Sequence, residues 1–406
     1  MASERQAARP AEAASAQSAV ATPETAQWIE TPRELEAACE YWLGEPALGL
    51  DTEFVRERTF YPALGLIQVA DSRGCFLLDP ISLPHLEPLR AVLQAPSVVK
   101  VFHSCGEDLE VLYHLFETFP EPLFDTQIAA SLSGVGHSLG YSRLVEVLFG
   151  VEIPKGETRT DWLRRPLTEA QKTYATLDVA YLLPAYRELR ARLGAAGREE
   201  WAREEVSRLA DAERFLPDPD RAYSRLRGAR ALRRRELAHL QALCAWRERE
   251  ARKRDLPRSF VLRDSALLRL AQRPTTSLKR LQALPELRRA EIRRYGTRLQ
   301  GIARQVAELR PEELPAPAGP GADLSAYRRE VDRLRLEVRR TAEELGIAPE
   351  LLATRRAVES IVRRFVSGKV PTMPPELEGW RRTVLEERLL GLLRPESAQR
   401  RPPSRQ

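Results

Sequence analysis

The residue pattern predicts an α/β domain followed by two all-helical units. Between 47 and 103 lie four short runs rich in Val, Ile, Leu and Phe: ALGLDTEF, LGLIQVAD, GCFLLDP and SVVKVFH. Pro, Asp, Gly and Ser separate them, as turns separate strands. From about 228 onward only helical periodicity remains, broken at Pro257, Pro274 and Pro285. Two stretches of turn and breaker residues, FLPDPDRAY (215–223) and LPAPAGPGA (314–322), divide the chain of 406 residues. That length suits several domains of ~100–200 residues each.

The elements follow in order. Residues 1–26 are rich in Ala, Ser, Gln and Pro and are expected to be a disordered tail. The α/β domain is assigned to 27–210. After its strands come amphipathic helices at about 105–118, 126–132, 138–149 and 168–193. Ser104 with Glu107, and Thr168 with Gln171, have the spacing of a capping box and are expected to open two of them. Residues 211–227 form a linker, 228–311 the first helical unit, 312–322 a second linker, 323–397 the second helical unit, and 398–406 a frayed end.

Composition bounds the function. Hydrophobic residues are 43% and charged residues 30%, normal for a globular protein. No apolar run approaches the ~18–20 residues that span a bilayer. The first 26 residues lack the apolar segment of a signal peptide. Cys39, Cys75, Cys105 and Cys244 are scattered without a C-x-x-C, which excludes a disulfide framework and a zinc site of usual spacing. A reducing, cytoplasmic location is expected. Charge is uneven. Residues 26–200 carry 26 acidic against 16 basic side chains, whereas 221–310 carry 25 basic against 8 acidic. A basic module points to a polyanionic partner; an arginine-rich coding bias would give the same count.

Three groups of acids invite chemistry. In ALGLDTEF, Asp51 and Glu53 lie two apart on a strand, so both project from one face, with Leu48, Leu50, Thr52 and Phe54 on the other. Paired carboxylates repel, and a hard cation such as Mg²⁺ or Mn²⁺ would hold them together; an exposed acidic strand end is the plainer alternative. In HSCGEDLEVLYHLF, Asp108 falls in the early turns of a helix, where it could ligate or only complement the helix dipole. His103, just before it, could touch a phosphate or be a structural histidine. In TYATLDVAY, Tyr174 and Asp178 lie four apart, one turn apart on one helix face. Asp125, directly before a helix pattern, reads as an N-cap, and Asp161 as a loop-ordering acid.

The ordered set D-x-E, then H-x-x-x-x-D, then Y-x-x-x-D resembles the DEDD exonucleases, and the tyrosine resembles their DEDDy branch. LDTEFVRERTFYPALGLIQVAD, KVFHSCGEDLEVL, FDTQIAAS and TRTDWLRRPLTEAQKTYATLDVAYLLP resemble the bacterial ribonuclease D family. LAHLQALCAWREREARKRDLPRSFVLRDSALLRLA resembles an HRDC domain, and ELLATRRAVESIV with GWR resembles that family's second HRDC-like domain. The Ala-rich leader departs from the pattern but touches no motif residue. The resemblance implies an RNase H-like fold, a mixed sheet flanked by helices, followed by two all-α HRDC-like domains. It implies that Asp51, Glu53, Asp108 and Asp178 hold two divalent ions, Mg²⁺ or Mn²⁺, and that Tyr174 orients a water or takes its proton. The implied reaction is 3′→5′ hydrolysis of RNA, such as the 3′ ends of tRNA precursors, releasing nucleoside 5′-monophosphates. It implies neither a membrane nor an obligate protein partner. Arg252, Lys253, Arg254, Lys279, Arg280, Arg293 and Arg294 are the candidate phosphate contacts of the basic module. Two other readings share these residues: a DNA 3′→5′ exonuclease and a non-catalytic RNA-binding adaptor.

Overall fold

The structure, a computed structural model, describes residues 26–154, 156, 160–316, 324–367 and 372–393. The expected tails, apart from Ala26, and most of the second linker lie outside the described residues.

The first domain runs β1 (Gln27–Ile29), α1 (Pro32–Trp42), β2 (Ala47–Val55), β3 (Ala63–Ala70), β4 (Cys75–Leu78), α2 (Glu87–Gln94), β5 (Val99–Phe102), α3 (Gly106–Phe116), β6 (Leu123–Asp125), α4 (Thr126–Leu132), α5 (Tyr141–Phe149), α6 (Glu169–Ala180), α7 (Leu182–Ala195) and α8 (Glu199–Ser207). The strands form one mixed sheet in the order β1-β4-β3-β2-β5-β6. β2 and β3 are antiparallel, as are β3 and β4, while β2, β5 and β6 run parallel. Alternation sorts side chains to the two faces. Leu48, Leu50, Ile67 and Val69 join Trp42, Leu89, Leu109 and Leu112 in one core, under α1, α2 and α3. Ala47, Ala70 and Val101 join Val179 and Leu182 in another, under α6 and α7.

Gly49 shows how closely that second face is covered. A Cβ there would sit 2.9 Å from the Leu182 Cβ. The junction of α6 and α7 therefore rests almost on the strand that carries Asp51. The sequence pattern predicts one helix over 168–193, but the structure breaks it at Tyr181 (φ −103°, ψ 3°). Pro184 explains the break, because a proline lacks the N–H that would reach Ala180 and its ring clashes with that carbonyl. The Tyr181 N–H turns to the Val179 carbonyl and also donates to the Tyr141 hydroxyl at 3.0 Å. The Thr168–Gln171 capping box forms as expected. The Ser104–Glu107 box does not. Ser104 takes a left-handed φ of 58°, α3 opens with Cys105 as its boundary residue, and the Cys105 N–H donates to the buried Asp125 carboxylate at 2.9 Å. A tertiary acceptor replaces the local cap.

After α9 (Ala212–Phe215), residues Pro219–Arg225 form a short 3₁₀ helix. This linker is packed on both sides: Phe215 enters the core under α3, and Ala222 and Tyr223 rest on the next core. That core belongs to α10 (Arg234–Lys253), α11 (Arg258–Val261), α12 (Asp264–Gln272), α13 (Leu278–Gln282) and α14 (Arg289–Glu308), built on Leu240, Leu243, Leu267, Leu270 and Leu299. Phe60, from the β2–β3 connection, is buried in it as well. The last unit comprises α15 (Arg328–Leu345), α16 (Pro349–Leu352), α17 (Arg355–Val366) and α18 (Trp380–Gly391). Its Leu334, Val338, Ile361 and Leu385 share one core with Ala129, Leu132, Leu189 and Leu193 of the α/β domain. Trp201 and Trp380 stack at 4.5 Å, and Arg381 pairs with Glu205 beside them. Both helical units are docked on the first domain. No helix among the described residues is long and apolar enough to cross a membrane.

Candidate active site

Asp51 and Glu53 emerge from the same face of β2, as alternation requires, and Asp178 comes to meet them from α6. One carboxylate oxygen from each lies within 4.8 Å of the others. Asp108 arrives from α3 and is buried. Its Oδ1 accepts from the Thr52 N–H at 3.0 Å and from the Thr52 hydroxyl at 2.6 Å. Thr52, between the two acids in sequence, thus pins the fourth carboxylate against their strand. Tyr174, one turn before Asp178 on α6, hydrogen-bonds to it through its hydroxyl, and its ring tilts against Trp162 at 6.1 Å.

Bringing four acids together in a half-buried place has an electrostatic cost. Burial, then Asp108, Asp178 and Glu53, raise Asp51 well above the carboxylate range. Burial, then Asp178 and Asp108, push Glu53 up to about 9. Asp178 is raised by burial to about 7 despite the Tyr174 hydrogen bond, and Asp108 by burial to about 6 despite those from Thr52. Burial and the neighbouring Asp178 raise the Tyr174 phenol above its ordinary range. Among the described residues none of the four acids has a Lys or Arg ion-pair partner. An all-oxygen, strongly anionic donor set of this kind fits a hard divalent cation, and Asp51, Glu53 and Asp178 could hold one.

The other acids have structural duties. Asp125 caps α4, accepting from the Gln127 and Ile128 N–H groups at 2.8 and 3.0 Å. Asp161 accepts from the Leu163 N–H within its own loop. His103 is tied inside the protein, with Nδ1 2.8 Å from the Thr126 hydroxyl and Nε2 3.0 Å from the Leu139 carbonyl. Both ring nitrogens are engaged, so the phosphate contact considered for it gives way to the structural role. The basic candidates divide. Arg252 is spent on Glu248 and the Pro217 carbonyl, and Arg254 on Tyr295 and Glu250. Lys253, Lys279, Arg280, Arg293 and Arg294 are exposed, with no ion pair among the described residues.

Three neighbours of the site escape a reading of the sequence. Thr52 falls on the apolar side by alternation, and only the position of α3 makes it a donor to Asp108. Tyr141 lies under the site, its hydroxyl close to Asp178 and Asp51. Gln68 stands directly opposite Asp51 in the β2–β3 register. It is wholly buried, and neither of its amide atoms has a partner among the described residues. A lone Gln in the run LIQVA carries no signal until that register is known.

Residues 26–194 match the 3′-5′ exonuclease family, 236–302 the HRDC domain, and 325–389 the ribonuclease D C-terminal HRDC domain. The chain is 40% identical over 371 residues to the ribonuclease D of Pseudomonas paraeruginosa, covering 90% of this chain and 97% of that one. It is 39% identical over 368 residues to the ribonuclease D of Escherichia coli, covering 90% and 98%. The crystal structure of Escherichia coli RNase D, described as an exoribonuclease involved in structured RNA processing, matches with a TM-score of 0.83 at 38% identity over 90% of this chain and 98% of that one. The match runs along nearly the whole length of these relatives and spans the mixed-sheet domain and both docked helical units, and the chain belongs to the ribonuclease D family of 3′→5′ exoribonucleases.

Proposed function

We propose that the chain trims the 3′ ends of structured RNAs, tRNA precursors among them, and releases nucleoside 5′-monophosphates with two divalent ions, Mg²⁺ or Mn²⁺. The observation that carries this reading is the meeting of Asp51, Glu53 and Asp178 within 4.8 Å, with Asp108 held beside them by Thr52. These four would hold the ions. Bound there, the ions supply an activated water and neutralise charge gathering on the scissile phosphate. Tyr174 has its own part. Its hydroxyl, hydrogen-bonded to Asp178, would orient the attacking water or take its proton. The acidic first domain repels RNA. The exposed Lys253, Lys279, Arg280, Arg293 and Arg294 offset this through phosphate contacts that carry no sequence information. Four cysteines, all free and buried, support a reducing, cytoplasmic setting.

The test is a digest of RNA labelled at the 3′ or the 5′ end, with Mg²⁺, Mn²⁺ or chelator, beside DNA of matched sequence. The 3′ label should appear at once as a mononucleotide, while the 5′ label shortens stepwise. Chelator should stop both, and DNA should be the poorer substrate. Release of the 5′ label first, or full turnover in chelator, would sink the reading.

A further inference from the structure

A cleft of about 900 Å³ runs between the β2–β3 connection and the first helical unit, and none of the residues assigned above accounts for it. Arg56 and Phe60 of that connection line one side, Arg214 and Arg225 of the joining segment continue the wall, and Arg258 and Arg263 close it. Its lining adjoins the carboxylate-bearing segments in the chain. Arg56 follows Glu53 by three residues, ~10 Å along extended chain. The Arg214 guanidinium lies 3.8 Å from where a Cβ on Gly106 would be, two residues before Asp108.

Its charges do not cancel. Three of its acids are already engaged: Glu110 by Arg56 at 2.6 Å, Glu248 by Arg252 and Arg258, and Asp264 by Arg247 at 2.7 Å. Glu57 is the remaining carboxylate in the wall. Against it stand three cations. Arg214 and Arg225 are exposed and have no carboxylate partner among the described residues, and Arg263 reaches the Glu286 main-chain carbonyl. Arg247 and Arg263 also keep buried Nε–H donors without an acceptor among the described residues. Next to Arg258 and Ser259, on α11, Phe260 is 58% exposed. Phe260 itself is not in the cleft lining, but cations without a carboxylate partner, with an exposed aromatic ring on the helix that helps close the cleft, form the combination that holds single-stranded nucleic acid, by phosphate contact and base stacking.

We propose that this cleft holds the single-stranded stretch just upstream of the RNA 3′ end, with phosphates on Arg214, Arg225 and Arg263 and a base on Phe260. The proposal rests on the exoribonuclease reading and deepens it. It gives the strand a path from the carboxylates along the seam with the first helical unit, where the wall carries the positive charge that the rest of the first domain lacks.

The test uses the full chain and single-stranded RNAs of graded length, from a trinucleotide to a dodecanucleotide. In the wild type, KM should fall as the strand grows long enough to fill the cleft. In the Arg225→Ala/Phe260→Ala double variant, both changes being on exposed side chains, that dependence should largely vanish. KM for the dodecanucleotide should rise about tenfold, ~1.4 kcal/mol, with kcat kept. Its salt dependence should become shallower by ~0.7 log units for each phosphate no longer neutralised. A wild-type KM indifferent to length overturns the proposal. So does an unchanged KM in the variant, the result expected of a cleft that serves a protein partner. A fall in kcat with KM unchanged also overturns it, because the residues would then act on the site itself. Wild-type protein inert on every RNA length with Mg²⁺ would instead remove the exoribonuclease reading, and the cleft proposal with it.

Discussion

Raising the pH in the absence of divalent cations should destabilise this protein, the reverse of the behaviour of carboxylates held by salt bridges. Glu53 is pushed up to about 9 from 4.5 by burial and by Asp178 and Asp108. The folded state therefore keeps a proton that the unfolded chain releases. Stability falls with pH wherever the folded state binds more protons. Full stability lies below the unfolded value of 4.5, and the loss continues through the window from there to about 9. Asp178, raised to about 7, and Asp108, raised to about 6, act in the same direction over lower windows. One pH unit inside such a window costs ~1.4 kcal/mol per group, so Glu53 alone accounts for about 3 kcal/mol at pH 7. The groups share one repulsion, so their losses do not add. The assay is urea unfolding followed by circular dichroism in chelator, in steps from about pH 5 to about pH 8, for wild type and Glu53→Gln. The wild type should lose stability steadily. The Gln variant should lose less and should exceed the wild type by about 3 kcal/mol near neutral pH. Adding Mg²⁺ at ~100 times its dissociation constant should restore ~2.7 kcal/mol to the wild type. A wild type whose stability in chelator is flat or rises with pH would refute the reasoning, as would a Gln variant no more stable than its parent.

Three further outcomes follow from the same geometry. Asp51→Asn should reduce Mg²⁺-dependent RNA turnover to background while circular dichroism and cation-free stability are kept or improved, because one of four repelling acids is gone. Tyr174→Phe should lower kcat by ~10²–10⁴ with cation affinity unchanged, measured by single-turnover kinetics beside calorimetry. Ending the chain at residue 316 should expose the apolar surface of Ala129, Leu132, Leu189 and Leu193 that the last helical unit covers; increased dye binding and aggregation would report it, and a monomeric, fully stable product would contradict the shared core.

Periodicity and local chemistry were enough to give this chain its α/β domain and its helical units. Alternation alone placed Asp51 and Glu53 on one face, and a four-residue step placed Tyr174 one turn from Asp178. Local signals acting over a few residues were reliable where nothing distant competed, as at the Thr168–Gln171 cap. They failed where a tertiary partner took over, as at Ser104, whose cap is replaced by Asp125. The tertiary structure alone decided what depends on residues far apart in the chain. It turned Thr52 into the anchor of Asp108, 56 residues away. It set Gln68 opposite Asp51 through the β2–β3 register. It buried Phe60 in the core of the first helical unit, where the Phe60 and Tyr61 N–H groups both donate to Asp255 at 2.9 Å. It also fused the last unit to α4, α7 and α8, so helices that read as separable modules share apolar surface with the exonuclease domain. A sequence records which residues carry charge or apolar area, but which of them desolvate one another is set by packing between elements, and that packing gathers the carboxylates and docks the basic unit on the β2–β3 connection.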